Sequence, residues 1–474
     1  MVRSFFLVLC FLAGTSSVSA LEILEGEEWM GIYFKGKKLG FSNSVVSIAD
    51  DGYRVDSRVY FRLYADGMDQ VTSFTQKTEL FPDLSLKSFS LLQEIMGSRH
   101  QTTAHLKGDS LTMDVTSSGF RRERKIRFKS GAILSSTFGL NIISEGLEVG
   151  RKEKRPIFME ALRTFSEIEY WIQGRHKVDF DGKIVEAFVV HSEIAGMESI
   201  IWLAPNGTVL REISQDGFES IRESKQKAQD MDEETISVSS LITMSLIKPE
   251  HEIENPRKVK KLKVKLINLR TRSSIPEDQR QILLDSKRHS EGWQMTLLVK
   301  SEALEIAETR SMDYFVNPSM LEDTSEIQSN HPMIKALARE IVSNEGDAWQ
   351  TAQGINEWVY RNLEKVFVET FTAVGALKKR KGECQSHTNL FVALARASGI
   401  PARVVNGLVY SSQYKGFLYY AWPEVYVGGW RAMDPTLGQN SVDATHIKLG
   451  VGDQQAPLRL MEFIGKLQIR LLED

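Results

Sequence analysis

The sequence predicts an α+β protein in which a strand-rich N-terminal region precedes a helix-containing C-terminal core. Three observations lead there. From about Leu21 to Glu223 apolar residues recur with period two, as in half-buried strands; after Ser329 their spacing becomes helical. A chain of 474 residues is also longer than one hydrophobic core usually organises, so more than one domain is expected. The predicted division is a leader at 1–20, a β-rich domain at 21–223, a linker with a small β-rich segment at 224–329, and the helical core at 330–474.

Composition narrows the class of function. With 42% hydrophobic and 26% charged residues the chain is ordinary globular protein. A formal net charge of −3 supplies no basic excess, so no nucleic-acid partner is expected. Arg3, the apolar run Phe5 to Leu12 and the small residues Val18-Ser19-Ala20 read as a secretory signal, with a retained anchor as the alternative. No later run approaches the ~20 apolar residues of a membrane span, so no transmembrane segment is expected in the mature chain. The expectation is an exported protein, periplasmic or extracellular. Cys10 lies within the leader, which leaves Cys384 as the only mature cysteine and excludes an internal disulfide. A free thiol in an oxidising compartment suggests use.

In the N-terminal region, Val59, Phe61 and Leu63 alternate with Arg58, Tyr60, Arg62 and Tyr64. Strands are likewise predicted at Trp29 to Phe34, Ser110 to Val115, Ile168 to Ile172, Ala187 to His191 and Ser199 to Leu203. Asp51-Gly52, Lys107-Gly108-Asp109, Asp181-Gly182 and Asn206-Gly207 supply hairpin turns between them. Glu223 to Glu234 is polar and reads as a linker or exposed helix. Val259 to Leu269 places Leu262, Val264 and Leu266 opposite Lys261, Lys263 and Lys265, the pattern of an edge strand protected by lysines; a polyanion-binding stripe is the alternative. Trp293 to Val299 is a further strand.

Pro332 then opens a helix carrying Ile334, Leu337, Ile341 and Val342, and a second helix runs from Asp347 to Leu363. At Gly382-Glu383-Cys384-Gln385-Ser386-His387 a glycine turn opens a third. Leu390, Phe391, Leu394 and Ala395 form its apolar face, and Gly399-Ile400-Pro401 ends it. Cys384 therefore sits in a first helical turn, where free backbone N–H groups and the helix dipole favour a thiolate. Strands follow at Arg403 to Tyr410, Phe417 to Val427 and from Trp430 to Asp434-Pro435-Thr436.

From Pro332 to Leu449 the chain resembles the bacterial transglutaminase-like family. The resemblance rests on the Gly-Glu-Cys turn, Ala395-Arg396-Ala397-Ser398-Gly399-Ile400-Pro401-Ala402-Arg403, Trp422-Pro423-Glu424-Val425-Tyr426-Val427, Trp430 and Asp434-Pro435-Thr436-Leu437-Gly438. It implies a papain-like transglutaminase core with a Cys-His-Asp triad: a thiolate attacks an amide carbonyl, an imidazole moves protons, and a carboxylate orients the imidazole. Carried over by position, Cys384 is the nucleophile and Asp434 the orienting carboxylate. The position of the histidine holds Tyr420. A phenol of ordinary pKa is only ~0.1% ionised at pH 7 and forms no cation, yet it can hydrogen-bond a thiolate and donate a proton.

His387, one helical turn beyond Cys384, is a candidate for the wall of the substrate cleft, for a structural role or for an alternative base, and His446, after the Asp434 strand, is a further alternative base. Trp422 and Glu424 share a strand face with Tyr420, and Gln385 follows the nucleophile; each is a candidate for the substrate cleft or for ordinary packing. The Cys384/His387 spacing is half of a zinc motif with no second pair, and no calcium-binding loop is visible, so neither a metal nor another cofactor is expected. Two functions remain: a cysteine acyl-transfer enzyme acting on peptide or protein amides through a Cys-Tyr-Asp triad, or a degenerate core that binds a peptide or protein.

Overall fold

In the computed structural model of the protein the described residues are 26–473, apart from 66–67, 96, 118, 181, 232–236, 238–244, 272–274, 291, 302–316, 343–346, 367–371 and 454–458. The expected leader at 1–20 lies outside them. The chain divides into two compact units, Val2–Ser237 and Val238–Asp474.

Among the described residues of the first unit, fifteen strands form one sheet. Its first half comprises β1 (Gly26–Phe34), β2 (Lys37–Ala49), β3 (Gly52–Ala65), β4 (Met68–Leu80), β5 (Leu86–Ile95), β6 (Ser98–Lys107), β7 (Ser110–Ser117) and β8 (Phe120–Arg127). The second comprises β9 (Ile133–Leu134), β10 (Lys152–Met159), β11 (Thr164–Phe180), β12 (Lys183–Ile194), β13 (Met197–Leu203), β14 (Val209–Ser214) and β15 (Phe218–Arg222). The order runs from β8 down to β1, then from β15 down to β9, so most neighbours are consecutive hairpins. The junction of the halves is the antiparallel pair β1–β15, with Ile32 opposite Ser220. Gly108 (φ +62°) and Gly182 (φ +74°) occupy left-handed turn positions that disfavour any side chain.

The alternation predicted for β3 is observed: Val59, Phe61 and Leu63 are buried. Phe158 meets Phe89, Phe128 and Phe165 at ring separations of 5.0–6.1 Å, a packing that favours tilted and edge contacts. Lys38 and the Tyr33 hydroxyl both engage Glu223 (2.8 and 2.6 Å), tying β1 and β2 to the segment after β15. Between β9 and β10 lies α1 (Phe138–Ser144), and after the sheet comes the short α2 (Lys225–Gln229), capped by Ser224. The polar stretch read as a linker or exposed helix thus begins with one.

Among its described residues the second unit holds two four-stranded sheets. The first has the order β17 (Gln281–His289), β18 (Gly292–Lys300), β16 (Lys261–Leu269), β25 (Gln468–Leu472). The lysine-bearing strand predicted at an edge is therefore interior. Its second partner, β25, lies about two hundred residues downstream, beyond the reach of a local pattern. Val264 and Leu266 on this strand are fully buried, and Lys261, Lys263 and Lys265 alternate with them toward the opposite face. The segment 224–329 thereby shares a sheet with the C-terminal region.

The second sheet has the order β23 (Trp430–Ala432), β22 (Gly416–Tyr426), β21 (Ala402–Ser411), β24 (Ile447–Val451). Among the described residues, four α-helices accompany it: α3 (Pro332–Ile341), α4 (Ala348–Asn362), α5 (Ala373–Lys379) and α6 (Cys384–Ala397). Pro332 is at the first position of α3, and Asp347 and Gln350 form a capping box on α4. Helix α6 is buried almost all round, which explains why its apolar residues are not confined to one stripe. Leu390, Phe391 and Leu394 join Ile334, Ile355, Val359, Val374, Val404 and Val425 in a single core. Arg396 fixes the far end of α6 by donating to the Ala402 and Glu322 carbonyls at 2.7–3.0 Å.

Candidate active site

The first half of α6 is polar yet buried: Ser386, His387, Thr388 and Asn389 are each at most 3% exposed. Burial of polar groups is costly without partners, so this end of the core is where function is to be sought. A short parallel pair, β19 (Glu364–Lys365) with β20 (Lys381–Gly382), delivers the chain to the helix start. Glu383 is the N-cap, and its Oε1 accepts from the Gln385 N–H at 3.2 Å. Cys384 is the first helical residue and is buried.

The Cys384 thiol donates to Glu383 Oε2 at 3.2 Å, and the Ala421 N–H from β22 is directed at the sulfur. Burial pushes the thiol well up from its ordinary value, the Glu383 carboxylate adds to that, and the Ala421 N–H opposes it. The thiolate expected from the helix dipole is thus outweighed by desolvation and by one adjacent carboxylate. At rest the sulfur is a neutral thiol.

Tyr420, next to Ala421 on β22, directs its hydroxyl toward Asp434 Oδ1 at 3.5 Å, the long end of a hydrogen bond. Burial raises this phenol well above its ordinary range, followed by the charges of Asp434 and of an ionised Cys384, so the three groups lie within electrostatic reach of one another. Asp434 is fully buried. Its Oδ1 accepts the N–H groups of Thr436 (2.8 Å) and Leu437 (2.9 Å), a turn that Asp-Pro-Thr-Leu is built to make. The structure therefore brings together the three residues singled out from the sequence.

Residues 335–435 match the family model of the transglutaminase-like superfamily. This stretch is a transglutaminase-like core. An uncharacterized protein of Haemophilus influenzae is 33% identical over 85 residues, 16% of this chain and 22% of that protein. The chain thus spans about a fifth of that relative's length. Among solved structures, a candidate cysteine protease from Cytophaga hutchinsonii is 19% identical, with a TM-score of 0.31, over 44% of this chain and 82% of the other. A β-barrel-like protein of a domain of unknown function from Brucella abortus is 12% identical, with a TM-score of 0.35, over 43% of this chain and 97% of the other. At such scores neither likeness bears on what the residues do.

Around Cys384, Tyr420 and Asp434 of the transglutaminase-like core the other candidates have distinct surroundings. His387 is fully buried, and its Nδ1 lies 3.0 Å from the Glu383 carbonyl. Burial holds this imidazole below its ordinary pKa. Gln385 donates to Asn389 Oδ1 at 2.8 Å, one turn along the same helix. Trp422 is completely buried in the cluster of Val405, Val409 and Val442, with Gly407 opposite Tyr420 leaving room for its ring. Glu424 is committed to ion pairs: Arg403 at 2.6 Å on one oxygen and Lys448 on the other, with Lys448 also engaging Asp278.

His446 is closest to the chemistry of Asp434. Its Nε2 is 3.1 Å from Asp434 Oδ2, its Nδ1 is 3.5 Å from Asp443 Oδ1, and its ring meets Trp422 edge-on at 5.2 Å. Asp443 and Glu383 were missed by the sequence reading. The Asp443–His446 spacing was a usable signal; Glu383 gave none, since glutamate is not a favoured N-cap. Among the described residues, no group of three or more His, Cys, Asp or Glu is arranged to hold a metal ion, and no helix is long and apolar enough to cross a membrane.

Proposed function

We propose that the second unit is built around a papain-like α+β core whose Cys384, Tyr420 and Asp434 form a variant triad for acyl transfer from peptide or protein amides, by hydrolysis or by transfer to an amine. The observation that supports this reading is that the Ala421 N–H reaches the helix-terminal Cys384 sulfur while the neighbouring Tyr420 hydroxyl lies 3.5 Å from Asp434. In the reaction Sγ bonds to the amide carbon and the C–N bond breaks. The thiol proton, held at rest toward Glu383, has to end on the departing amine. Tyr420, kept as a neutral phenol, is the donor to that amine and regains its proton from the thiol. Water or a second amine then opens the thioester and restores the thiol.

Export is part of the same proposal. Arg3, the run Phe5 to Leu12 and Val18-Ser19-Ala20 support cleavage after residue 20 and a periplasmic or extracellular peptidase or acyltransferase. N-terminal sequencing of the protein recovered outside the cytoplasm tests this directly.

A binding module is the second reading, favoured by the buried neutral thiol beside a carboxylate. Incubation with the p-nitrophenyl ester of N-acetylglutamine, followed by intact mass, separates the two. Acylation of Cys384 that turns over and disappears in Cys384→Ala supports the enzyme. Absence of any acyl adduct in a folded protein supports the binding module.

A further inference from the structure

A nucleophile that rests as a neutral thiol loses its proton as it attacks, and the group that receives the proton has to lie within hydrogen-bond reach of it. The side chains of the site differ in whether they can serve. Tyr420 keeps its own proton, because burial and the neighbouring charges raise its phenol well above the ordinary range. His387 Nδ1 lies against the Glu383 carbonyl, and burial disfavours its cation. His446 lies between Asp434 and Asp443, with Nε2 3.1 Å from Asp434 Oδ2. Asp434 spends Oδ1 on the Thr436 and Leu437 N–H groups. The thiol itself donates to Glu383 Oε2 at 3.2 Å. Glu383 is also held still: as N-cap of α6 it accepts the Gln385 N–H on Oε1, so one oxygen is anchored to the helix and the other is aimed at the sulfur.

We propose that Glu383 is a further catalytic residue: the base that takes the Cys384 proton as Sγ attacks and keeps it until the amine leaves. The inference rests on the acyl-transfer reading above and supplies the proton acceptor that a phenol at position 420 cannot be. As the Sγ–C bond forms, the S–H bond breaks, Oε2 gains the proton, and the carbonyl oxygen carries the negative charge. As the C–N bond breaks, that oxygen re-forms the carbonyl, Tyr420 protonates the amine, and the proton on Oε2 restores the phenol. The proton count closes without solvent up to the thioester. The carboxylate thus has two opposed effects. At rest its charge disfavours a free thiolate; in the reaction it stores a proton that would otherwise be lost to water. Selectivity for the leaving group follows. An amide nitrogen must be protonated to depart and needs the stored proton, whereas a p-nitrophenolate departs without one.

The p-nitrophenyl ester and the p-nitroanilide of N-acetylglutamine, given to the full chain and to Glu383→Gln, separate the two effects. In the variant, acylation by the ester should rise by about three- to tenfold as the thiolate becomes easier to form. Release of p-nitroaniline should fall by about a hundredfold or more, through loss of the proton store. A merely structural role would lower both rates together, and that result, or an unchanged ratio of amide to ester, overturns the proposal. So does wild-type protein that takes the ester and leaves the anilide untouched. The resting contact is read without turnover by infrared spectroscopy of the Cys384 S–H stretch, assigned by its loss in Cys384→Ala. The stretch should move to higher frequency in Glu383→Gln, whose amide oxygen is a weaker acceptor; an unchanged frequency overturns the proposal. Should that variant fail to fold, Glu383→Asp keeps the cap and the charge but draws the carboxylate back, and should cost more on the anilide than on the ester; equal losses overturn it. Absence of any acylation in the wild-type protein defeats the enzyme reading and the base with it, whereas acylation with an unchanged ratio defeats the base alone.

Discussion

The sulfur of Cys384 lies 3.2 Å from Oε2 of Glu383, the residue immediately before it, so the helix cap and the thiol share one side chain. The Glu383 carboxylate caps Gln385 with one oxygen and restrains the thiol proton with the other. Glu383→Gln keeps an acceptor for the cap and removes the charge. Alkylation of Cys384 by iodoacetamide at neutral pH should then accelerate by about three- to tenfold. An unchanged rate would mean that burial alone sets the thiol.

Replacing Tyr420 by histidine places an imidazole between Cys384 and Asp434. A cation there stabilises a thiolate, so alkylation at neutral pH should rise by on the order of tenfold, and the pH midpoint of the alkylation profile should fall. Tyr420→Phe should leave the midpoint high and lower any turnover of the acyl adduct. Stopped-flow alkylation profiles of the three proteins check both statements.

Much of this site was legible because its signals are local. Gly382 before Cys384, Gly399-Ile400-Pro401 after it and Asp434-Pro435-Thr436 each declare a turn within a few residues, and the helix α6 and the Asp434 turn fall where they indicate. What the chain did not declare depends on residues far apart. Lys448 and Asp278 meet across 170 positions, and β16 owes its interior place to β25. The state of Cys384 escaped for another reason: the dipole argument is local, while desolvation depends on everything packed around the sulfur.

Gly407 shows how tightly the strand face is filled. A Cβ there would come within 2.0 Å of the Ile447 carbonyl and 2.7 Å of the Trp422 ring. Gly407→Ala should therefore destabilise the second unit by about 2 kcal/mol or more, through displacement of β24 or of Trp422. Denaturant unfolding followed by tryptophan fluorescence measures it.

Glu424 and Lys448, both at most 1% exposed, form a pair whose breakage leaves a buried charge. Glu424→Gln should cost on the order of 3 kcal/mol. The double change Glu424→Gln with Lys448→Met should cost less than the sum of the single changes, as measured by equilibrium unfolding.

In the first unit, burial pushes Glu212 on β14 up to about 8 from 4.5, with the Ser199 hydroxyl opposing and Asp216 reinforcing. Asp216 is itself pushed up to about 6, by burial. A raised acid holds its proton more tightly when folded. Its contribution to stability is complete below pH 4.5 and is lost as the pH rises through 8. The first unit should accordingly lose stability of the order of a few kcal/mol over that window. Glu212→Gln should flatten the slope in a thermal-unfolding series.

The pairing of β16 with β25 has a consequence for synthesis. A chain emerging from its N-terminus presents Lys261–Leu269 long before Gln468–Leu472 exists, so one flank of β16 waits, hydrogen-bonding groups unsatisfied, through about two hundred residues of elongation. Premature termination anywhere in that interval would release a nascent chain with an open, apolar β template, a substrate for chaperones or for self-association.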